Sequence, residues 1–268
     1  MHYFTILSAK CKLKRKKYDC SAKYIFGIVG FTEFLPVSSS GHLILAQKLF
    51  GIEGNLFFDV MLHVGTLFAV VIALRKSLWQ TIRHPVSDNK LLLLVLASVP
   101  TFALALLVKL FVPETLMEKL LPVGFTLTIV LIVLSQKLYK PQLRLSQCGV
   151  LPAIVTGVAQ GIAVFPGLSR SGATISVMKF FGVNASDAAE FSFLLSIPII
   201  LASGVVEIWE AVKTGMQISW LTTATGTLAA FVSGLVAVKT VLRAVKNKSW
   251  IWFAVYLIVP VVLSFIVM

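Results

Sequence analysis

The sequence predicts an all-α, polytopic membrane protein with an inverted-topology repeat, two re-entrant helical hairpins and about six full spans. The first observation is composition: 57% of the 268 residues are hydrophobic and only 13% are charged. A soluble domain usually has about 45–50% apolar and about 25% charged residues. The second observation is that the apolar residues form long runs, and a helical span needs about 20 of them. A disordered chain is therefore excluded, and an ordinary soluble enzyme is strongly disfavoured.

Six apolar runs are predicted to cross the membrane, namely 57–74, 91–111, 120–135, 187–208, 218–238 and 250–268. The connections 75–90, 136–146 and 239–248 carry eleven Lys and Arg residues, whereas 51–56, 112–119 and 209–217 carry two. Cytoplasmic loops of membrane proteins are enriched in Lys and Arg. The three basic connections are therefore predicted to be cytoplasmic and the C-terminus to lie outside.

Two further apolar stretches, 24–50 and 148–184, are interrupted by L-P-V-S-S-S-G-H (35–42) and F-P-G-L-S-R-S-G (165–172). Interrupted backbone is tolerated in a membrane only where protein buries it or it lines a wet cavity. Given the loop orientation, the stretches are predicted to be hairpins that enter from opposite faces, each followed by three spans. Such an arrangement is an inverted-topology repeat.

A faint similarity between the two halves agrees with this repeat. G-I-V-G-F-T-E-F-L-P (27–36) and G-V-A-Q-G-I-A-V-F-P (157–166) each begin with Gly and end with Pro nine residues later. One membrane domain is therefore predicted over 24–268, with repeats at about 24–135 and 148–268. Residues 1–23 form an atypical basic extension.

The net charge of +13 lies mostly between apolar runs, which sets orientation in a membrane and argues against a nucleic-acid partner. The three cysteines are scattered, with no C-x-x-C spacing, and indicate neither a zinc site nor a disulfide framework.

The polar residues of the two breaks are the candidate functional residues. They are Glu33, Ser38, Ser39, Ser40 and His42 in or near the first break, and Gln160, Ser169, Arg170 and Ser171 in or near the second. If the hairpin tips meet, these groups converge. The guanidinium of Arg170 suits phosphate oxygens, Gly167 and Gly172 allow backbone N–H groups to approach an anion, and a helix that begins near Ser171 adds its dipole. Glu33 could hold a hard cation.

A hydroxyl beside a histidine could form an activated nucleophile, so this set indicates phosphoryl transfer in a membrane. Each residue also has a structural interpretation. The hydroxyls of Ser38 and Ser40 could bond only to preceding carbonyls. Arg170 could be a buried ion-pair partner of Glu33, and His42 could be packed in a helix.

The two longest motifs, T-E-F-L-P-V-S-S-S-G-H-L (32–43) and P-G-L-S-R-S-G-A-T (166–174), resemble the undecaprenyl-diphosphatase family of the bacitracin-resistance type. The resemblance extends from about residue 25 to the C-terminus. It implies a multi-pass enzyme of the bacterial inner membrane that converts undecaprenyl diphosphate to the monophosphate, recycles the carrier for peptidoglycan and confers bacitracin resistance. It also implies a divalent cation, Mg²⁺ or Ca²⁺, and a site open to the periplasm. A homodimer is an open alternative.

Within this family resemblance, Glu33 matches the second acid of an (Glu/Gln)-x-x-x-Glu motif and is the expected metal ligand. Ser39, His42 and Arg170 match the other expected catalytic residues, with the nucleophile either Ser39 or His42. Val29 stands where the family has an acid or amide, and valine cannot bind a metal. The expected substrate-binding residues are Ser38, Ser40, Gly167, Ser169, Ser171 and Gly172. Two alternatives remain open, a lipid-carrier flippase of the same fold and a catalytically impaired homologue.

Overall fold

The structure is a computed structural model that describes residues 30–50, 56–84, 89–213, 220–247 and 249–267. The basic extension 1–23 and Val29 lie outside these ranges. In the described part of the chain the regular secondary structure is helical, apart from one isolated bridge between Leu143 and Val183. The predicted all-α class is therefore confirmed.

The described α-helices are α1 Ser39–Phe50, α2 Leu56–Ala73, α3 Arg75–Arg83, α4 Lys90–Phe111, α5 Glu114–Lys119, α6 Leu121–Lys137, α7 Val150–Ile162, α8 Arg170–Phe180, α9 Ala185–Lys213, α10 Trp220–Lys246 and α11 Ile251–Val267. Every predicted span coincides with one of these helices to within a few residues, except that α10 continues to Lys246, well beyond the expected end at 238. Residues 30–32 are also helical and lead into the first break.

Three helical segments of the described chain are long and apolar enough to cross a membrane, at 90–111, 185–206 and 224–246. A fourth crossing results if α2 and α3, which bend by 74° at their junction, count as one span. Helices α6 and α11 have 17 residues each. At ~1.5 Å per residue each measures about 26 Å, slightly less than the ~30 Å hydrocarbon core. Six complete crossings therefore stay a prediction.

The outer surface carries large apolar side chains, as a protein in lipid requires. Leu110 and Phe111 on α4 are 65% and 76% exposed, and Phe265 and Ile266 on α11 are 69% and 73% exposed. In water this surface would be a large apolar patch of the kind that marks a membrane or protein contact. Together with the apolar helices, it supports a multi-pass membrane protein.

One predicted connection has more structure than the charge count suggested. Residues 75–90 were predicted as a cytoplasmic loop, but they include α3. This helix exposes Trp79 and Ile82, and the guanidinium of Arg83 lies 4.6 Å from the centre of the Trp79 ring. Aromatic and basic side chains together are typical of the membrane interface. Three of the four basic residues, Arg75, Lys76 and Arg83, therefore belong to a short helix, and the fourth, Lys90, begins α4.

The long helices pack in pairs, α2 against α10, α4 against α7 and α6 against α11. Glycines allow the helix backbones to come close in two of these pairs, α4 with α7 and α2 with α10. A Cβ on Gly157 would lie 2.0 Å from the carbonyl oxygen of Ala97, and a Cβ on Gly65 would lie 2.5 Å from that of Thr227. Small residues at such crossings let helix backbones come close in membranes. These contacts fix α7, which leads into the second break.

Candidate active site

The two chain breaks lie where the sequence predicted them. Residues 33–38 separate the helical residues 30–32 from α1, and residues 163–169 separate α7 from α8. Both turns need a left-handed backbone, because Ser38 has φ 65° and Gly167 has φ 85°. Glycine adopts this conformation without cost, whereas serine does so rarely.

The helices after the breaks begin with the same cap. The Oγ of Ser38 accepts a hydrogen bond from the N–H of Gly41 at 3.3 Å, and the Oγ of Ser169 accepts one from the N–H of Gly172 at 3.1 Å. Serine is a preferred N-cap because its hydroxyl satisfies a free N–H of the first turn. The first helical residues, Ser39 and Arg170, therefore occupy equivalent positions in the two halves.

The tips of the two breaks are in contact, which is the condition under which their polar residues converge. The hydroxyl of Ser169 donates to the carbonyl oxygen of Leu35 at 3.4 Å. A Cβ on Gly41 would lie 3.0 Å from the Cα of Gly167. The N-termini of α1 and α8 consequently open towards the same space, where their dipoles favour an anion.

Glu33 lies at the centre of this contact. Its Oε2 accepts a hydrogen bond from the Oγ of Ser39 at 2.5 Å, and its Oε1 lies 3.5 Å from Nη2 of Arg170. The Glu33 side chain is only 6% exposed, and that of Arg170 is 30% exposed. A buried carboxylate is tolerated when an opposite charge and hydrogen bonds compensate it. The Arg170 side chain therefore remains partly accessible.

A cavity of about 600 Å³ adjoins this group. Its polar and charged lining residues include Glu33, Ser38, Ser39, Ser40, His63, Lys109, Gln160, Ser169 and Arg170. Its apolar lining residues include Leu62, Phe102, Leu106, Ile199 and Val206. A mostly apolar space with several polar and charged groups suits an amphiphile with an anionic head.

His42 is held away from the cavity. Its Nδ1 lies 2.8 Å from the carbonyl oxygen of Ser38, and its Nε2 lies 2.9 Å from the Oη of Tyr256. The ring stacks on Tyr256, with centroids 5.7 Å apart. Because a carbonyl can only accept, Nδ1 carries the hydrogen and Nε2 accepts from the tyrosine. The hydroxyl–histidine pair that the sequence suggested is not formed, and Ser39 bonds to Glu33 instead.

The other expected substrate-binding residues lie behind the cavity wall. The N–H of Gly172 is used by the Ser169 cap. A Cβ on Gly167 would lie 2.3 Å from the carbonyl oxygen of Leu121, so this glycine packs against α6. Ser171 is 6% exposed, and its Oγ lies 3.4 Å from that of Ser169. These three residues shape the break, whereas Ser38 and Ser40 line the cavity.

Two further residues belong to the site, namely Tyr256, which the sequence did not indicate, and Gln160, a candidate that had no assigned role. Tyr256 is the partner of His42, and no sequence signal could indicate it because 214 positions separate the two residues. Gln160 lines the cavity together with Glu33 and Arg170. Its position in the second-half motif G-V-A-Q-G-I-A-V-F-P was the available signal.

The oxygen donors of the cavity determine whether it suits a hard cation. In the described ranges, no three residues of the His, Cys, Asp and Glu types come together as a metal cluster. The cavity does offer the carboxylate of Glu33 and the amide oxygen of Gln160, which is buried and accepts no hydrogen bond from the described residues. Oxygen ligands suit Mg²⁺ and Ca²⁺, which also take phosphate oxygens and water. The residues therefore fit such a cation when an anionic ligand completes the shell.

Fold and site together define a polytopic helical membrane protein with a cavity beside two contacting chain breaks. Residues 23–263 match the family described as bacitracin resistance protein BacA, and the chain belongs to this family. It is 38% identical over 245 residues to an undecaprenyl-diphosphatase of Halothermothrix orenii, covering 87% of this chain and 93% of that protein. It is also 38% identical to proteins of the same name from Carboxydothermus hydrogenoformans over 239 residues and Treponema denticola over 249 residues. These alignments cover 87% of this chain and 91% and 92% of the two relatives.

Proposed function

We propose that this protein hydrolyses undecaprenyl diphosphate to undecaprenyl phosphate and inorganic phosphate. Family membership and the names of its relatives support this activity. The product is the lipid carrier for peptidoglycan synthesis, and consumption of the diphosphate, the form that bacitracin binds, gives resistance. The observation that carries the proposal is the buried Glu33 carboxylate, which contacts both the Ser39 hydroxyl and the Arg170 guanidinium.

The diphosphate occupies the part of the cavity beside Glu33 and Arg170, and the prenyl chain lies along its apolar lining residues. The helix dipoles of α1 and α8 and the charge of Arg170 stabilise the phosphate oxygens. Donors fixed in this way act most strongly on charge that develops during the reaction. Arg170 thus has a role beyond its ion pair with Glu33.

Ser39 is the better nucleophile of the two candidates because it lines the cavity and its hydroxyl donates to a carboxylate. Its Oγ attacks the terminal phosphorus while its proton passes to Glu33. The bond between that phosphorus and the bridging oxygen breaks, and undecaprenyl phosphate leaves. Water then attacks the phosphoserine, which releases inorganic phosphate and restores Ser39. His42 fixes the Ser38 carbonyl and acts as a positioning residue.

A divalent cation, Mg²⁺ or Ca²⁺, would neutralise charge on the phosphate oxygens when bound. Glu33 would hold it on the protein side. Val29, which lies outside the described residues, cannot contribute a ligand because valine has no oxygen or nitrogen in its side chain.

The topology belongs to the same proposal. The protein is a multi-pass protein of the bacterial inner membrane with six full spans, and its two breaks are re-entrant hairpins of an inverted repeat. The equivalent serine caps and the asymmetry of basic residues support this arrangement. It places 24–268 in one domain whose cavity faces the periplasm. A flippase of the same fold would have no need of the Ser39–Glu33 pair.

The test is phosphate release from undecaprenyl diphosphate by the purified protein in detergent, compared with Ser39→Ala. Loss of a serine nucleophile can cost up to about 10⁶-fold in turnover, and we expect at least a thousandfold loss here. Ser98→Ala is the matched control, because the Ser98 hydroxyl bonds only to the Leu94 carbonyl in its own helix. Near-native turnover of Ser39→Ala would exclude the phosphoserine step. No release by the folded native protein would exclude the function.

A further inference from the structure

Gln160, which lines the cavity, has a buried side-chain oxygen without a partner among the described residues. The residue lies on α7, is 2% exposed and lines the cavity together with Glu33 and Arg170. Its Nε2 donates to the carbonyl oxygen of Leu195 at 3.2 Å. Its Oε1 is buried and has no hydrogen-bond partner among the described residues. Since a buried acceptor without a partner is costly, this oxygen requires an explanation.

The orientation of the amide is fixed by its neighbours. The Leu195 carbonyl can only accept, so it requires the NH₂ group of Gln160. On the same side, Nε2 lies 3.5 Å from the hydroxyl oxygen of Thr101. That hydroxyl directs its hydrogen to the carbonyls of Ala97 and Gly157, both at 2.9 Å. A flipped amide would set its oxygen against a carbonyl, so Oε1 stays at its present position.

The chemistry of the proposed substrate limits what this oxygen can bind. Phosphate oxygens of an ionised diphosphate carry no hydrogen, so they cannot donate to an amide oxygen. The partners that can satisfy this oxygen are an N–H or O–H donor, a water molecule or a cation. Amide oxygens are regular ligands of hard divalent cations. An oxygen that is fixed and unpaired beside a diphosphate site is suited to that role.

The position of the first half that corresponds to Gln160 has no side-chain oxygen. Aligning Gly27–Pro36 with Gly157–Pro166 places Gly30 opposite Gln160. A Cβ on Gly30 would lie 2.5 Å from the Oγ of Ser233 and 2.6 Å from the Cα of Ala230, so a longer side chain does not fit there. At this pair of positions only Gln160 can therefore supply a ligand oxygen.

We propose that Oε1 of Gln160 is a ligand of the divalent cation and that it binds the cation together with Glu33 and the diphosphate. This inference rests on the proposed function, because the diphosphate completes the shell. Glu33 then provides the negative charge from the first hairpin, and Gln160 provides a neutral oxygen from the second. The cation would bridge the two halves of the protein.

The test measures cation binding directly. The purified full-length protein is mixed with a methylene-bridged prenyl diphosphate, which cannot be hydrolysed, and its thermal unfolding is followed during titration with Ca²⁺. Gln160→Met removes the oxygen at similar length, and we expect the apparent Kd for Ca²⁺ to rise at least about tenfold. Gln160→Glu adds a charge and should lower the Kd. Gln136→Met is the control: Gln136 lies on α6, where it accepts a hydrogen bond from Lys179, and its loss should leave the Kd unchanged.

The outcomes separate this inference from the function. If Gln160→Met folds and binds Ca²⁺ as tightly as the native protein, the ligand assignment is overturned. If Gln160→Met does not fold, an unchanged Kd in Gln160→Glu overturns it. The ligand assignment is also overturned if Ca²⁺ does not raise the melting temperature of the native protein in a saturable way. Phosphate release by the native protein is measured separately, so hydrolysis without these Kd changes rejects the inference and leaves the function standing.

Discussion

Replacement of Arg170 by lysine tests whether the guanidinium binds phosphate or only neutralises Glu33. Its Nη2 lies 3.5 Å from Oε1 of Glu33, and 30% of its side chain is exposed. A guanidinium has five N–H donors in a planar fork, whereas lysine is a point charge. Arg170→Lys therefore keeps the positive charge and loses the two parallel hydrogen bonds to phosphate.

The expected magnitudes differ for turnover and stability. Loss of one fixed electrostatic donor costs about 100-fold to 1,000-fold in turnover, or about 2.7–4 kcal/mol. Stability should change little in Arg170→Lys because the Glu33 carboxylate, 6% exposed, still has a cation beside it. Arg170→Gln removes that cation, and breaking a buried pair costs about 3–5 kcal/mol of unfolding free energy.

The assay combines phosphate release with thermal unfolding in detergent. Arg144→Lys is the matched control, since Arg144 lies in the connection between α6 and α7, far along the chain from either break. It should leave both quantities unchanged. Near-native turnover of Arg170→Lys would show that charge alone is needed, and Arg170 would then be a structural partner of Glu33.

Three further predictions concern packing, His42 and topology. Gly157→Ala should lower the unfolding free energy by about 1–3 kcal/mol, because the added Cβ meets a backbone oxygen at 2.0 Å; Gly204→Ala, with open space around it, should not. Equal melting temperatures would refute this close packing. Because His42 positions Ser38 and takes no part in the chemistry, Tyr256→Phe should lower the rate of phosphate release less than tenfold. A tenfold loss corresponds to about 1.4 kcal/mol of activation free energy. A loss as large as that in Ser39→Ala would place Nε2 in the chemistry. A C-terminal reporter should be active outside the cytoplasm, and activity only inside would contradict the opposed hairpins.

The helices and the breaks could be predicted from the sequence because both depend on local properties. Long apolar runs require helices in lipid, and Pro, Gly and Ser interrupt them. The charge count predicts that the two breaks enter the membrane from opposite faces, and this stays a prediction. The helix α3 was missed since its basic residues were counted as a loop, although Trp79 and Arg83 are typical of an interfacial helix.

The partners within the site could not be predicted because they depend on packing between distant segments. The sequence suggested that a hydroxyl such as that of Ser39 pairs with His42, three residues away. In the structure the His42 ring is hydrogen-bonded to Tyr256 of the last helix, and the Ser39 hydroxyl donates to the Glu33 carboxylate. The free oxygen of Gln160 likewise results from the carbonyl of Leu195 on α9, which fixes the amide. Motif spacing contains no information on either contact.

The most direct test of the central claim is phosphate release from undecaprenyl diphosphate by the native protein and by Glu33→Gln. The claim is that the Glu33 carboxylate, joined to Ser39 and Arg170, is the centre of a lipid diphosphatase. The glutamine variant has nearly the same shape but cannot take the proton of Ser39. We expect one phosphate per lipid from the native protein, undecaprenyl phosphate as the other product, and at least a ~100-fold lower rate in the variant. Equal rates in two folded proteins, or no release by either, would contradict the account.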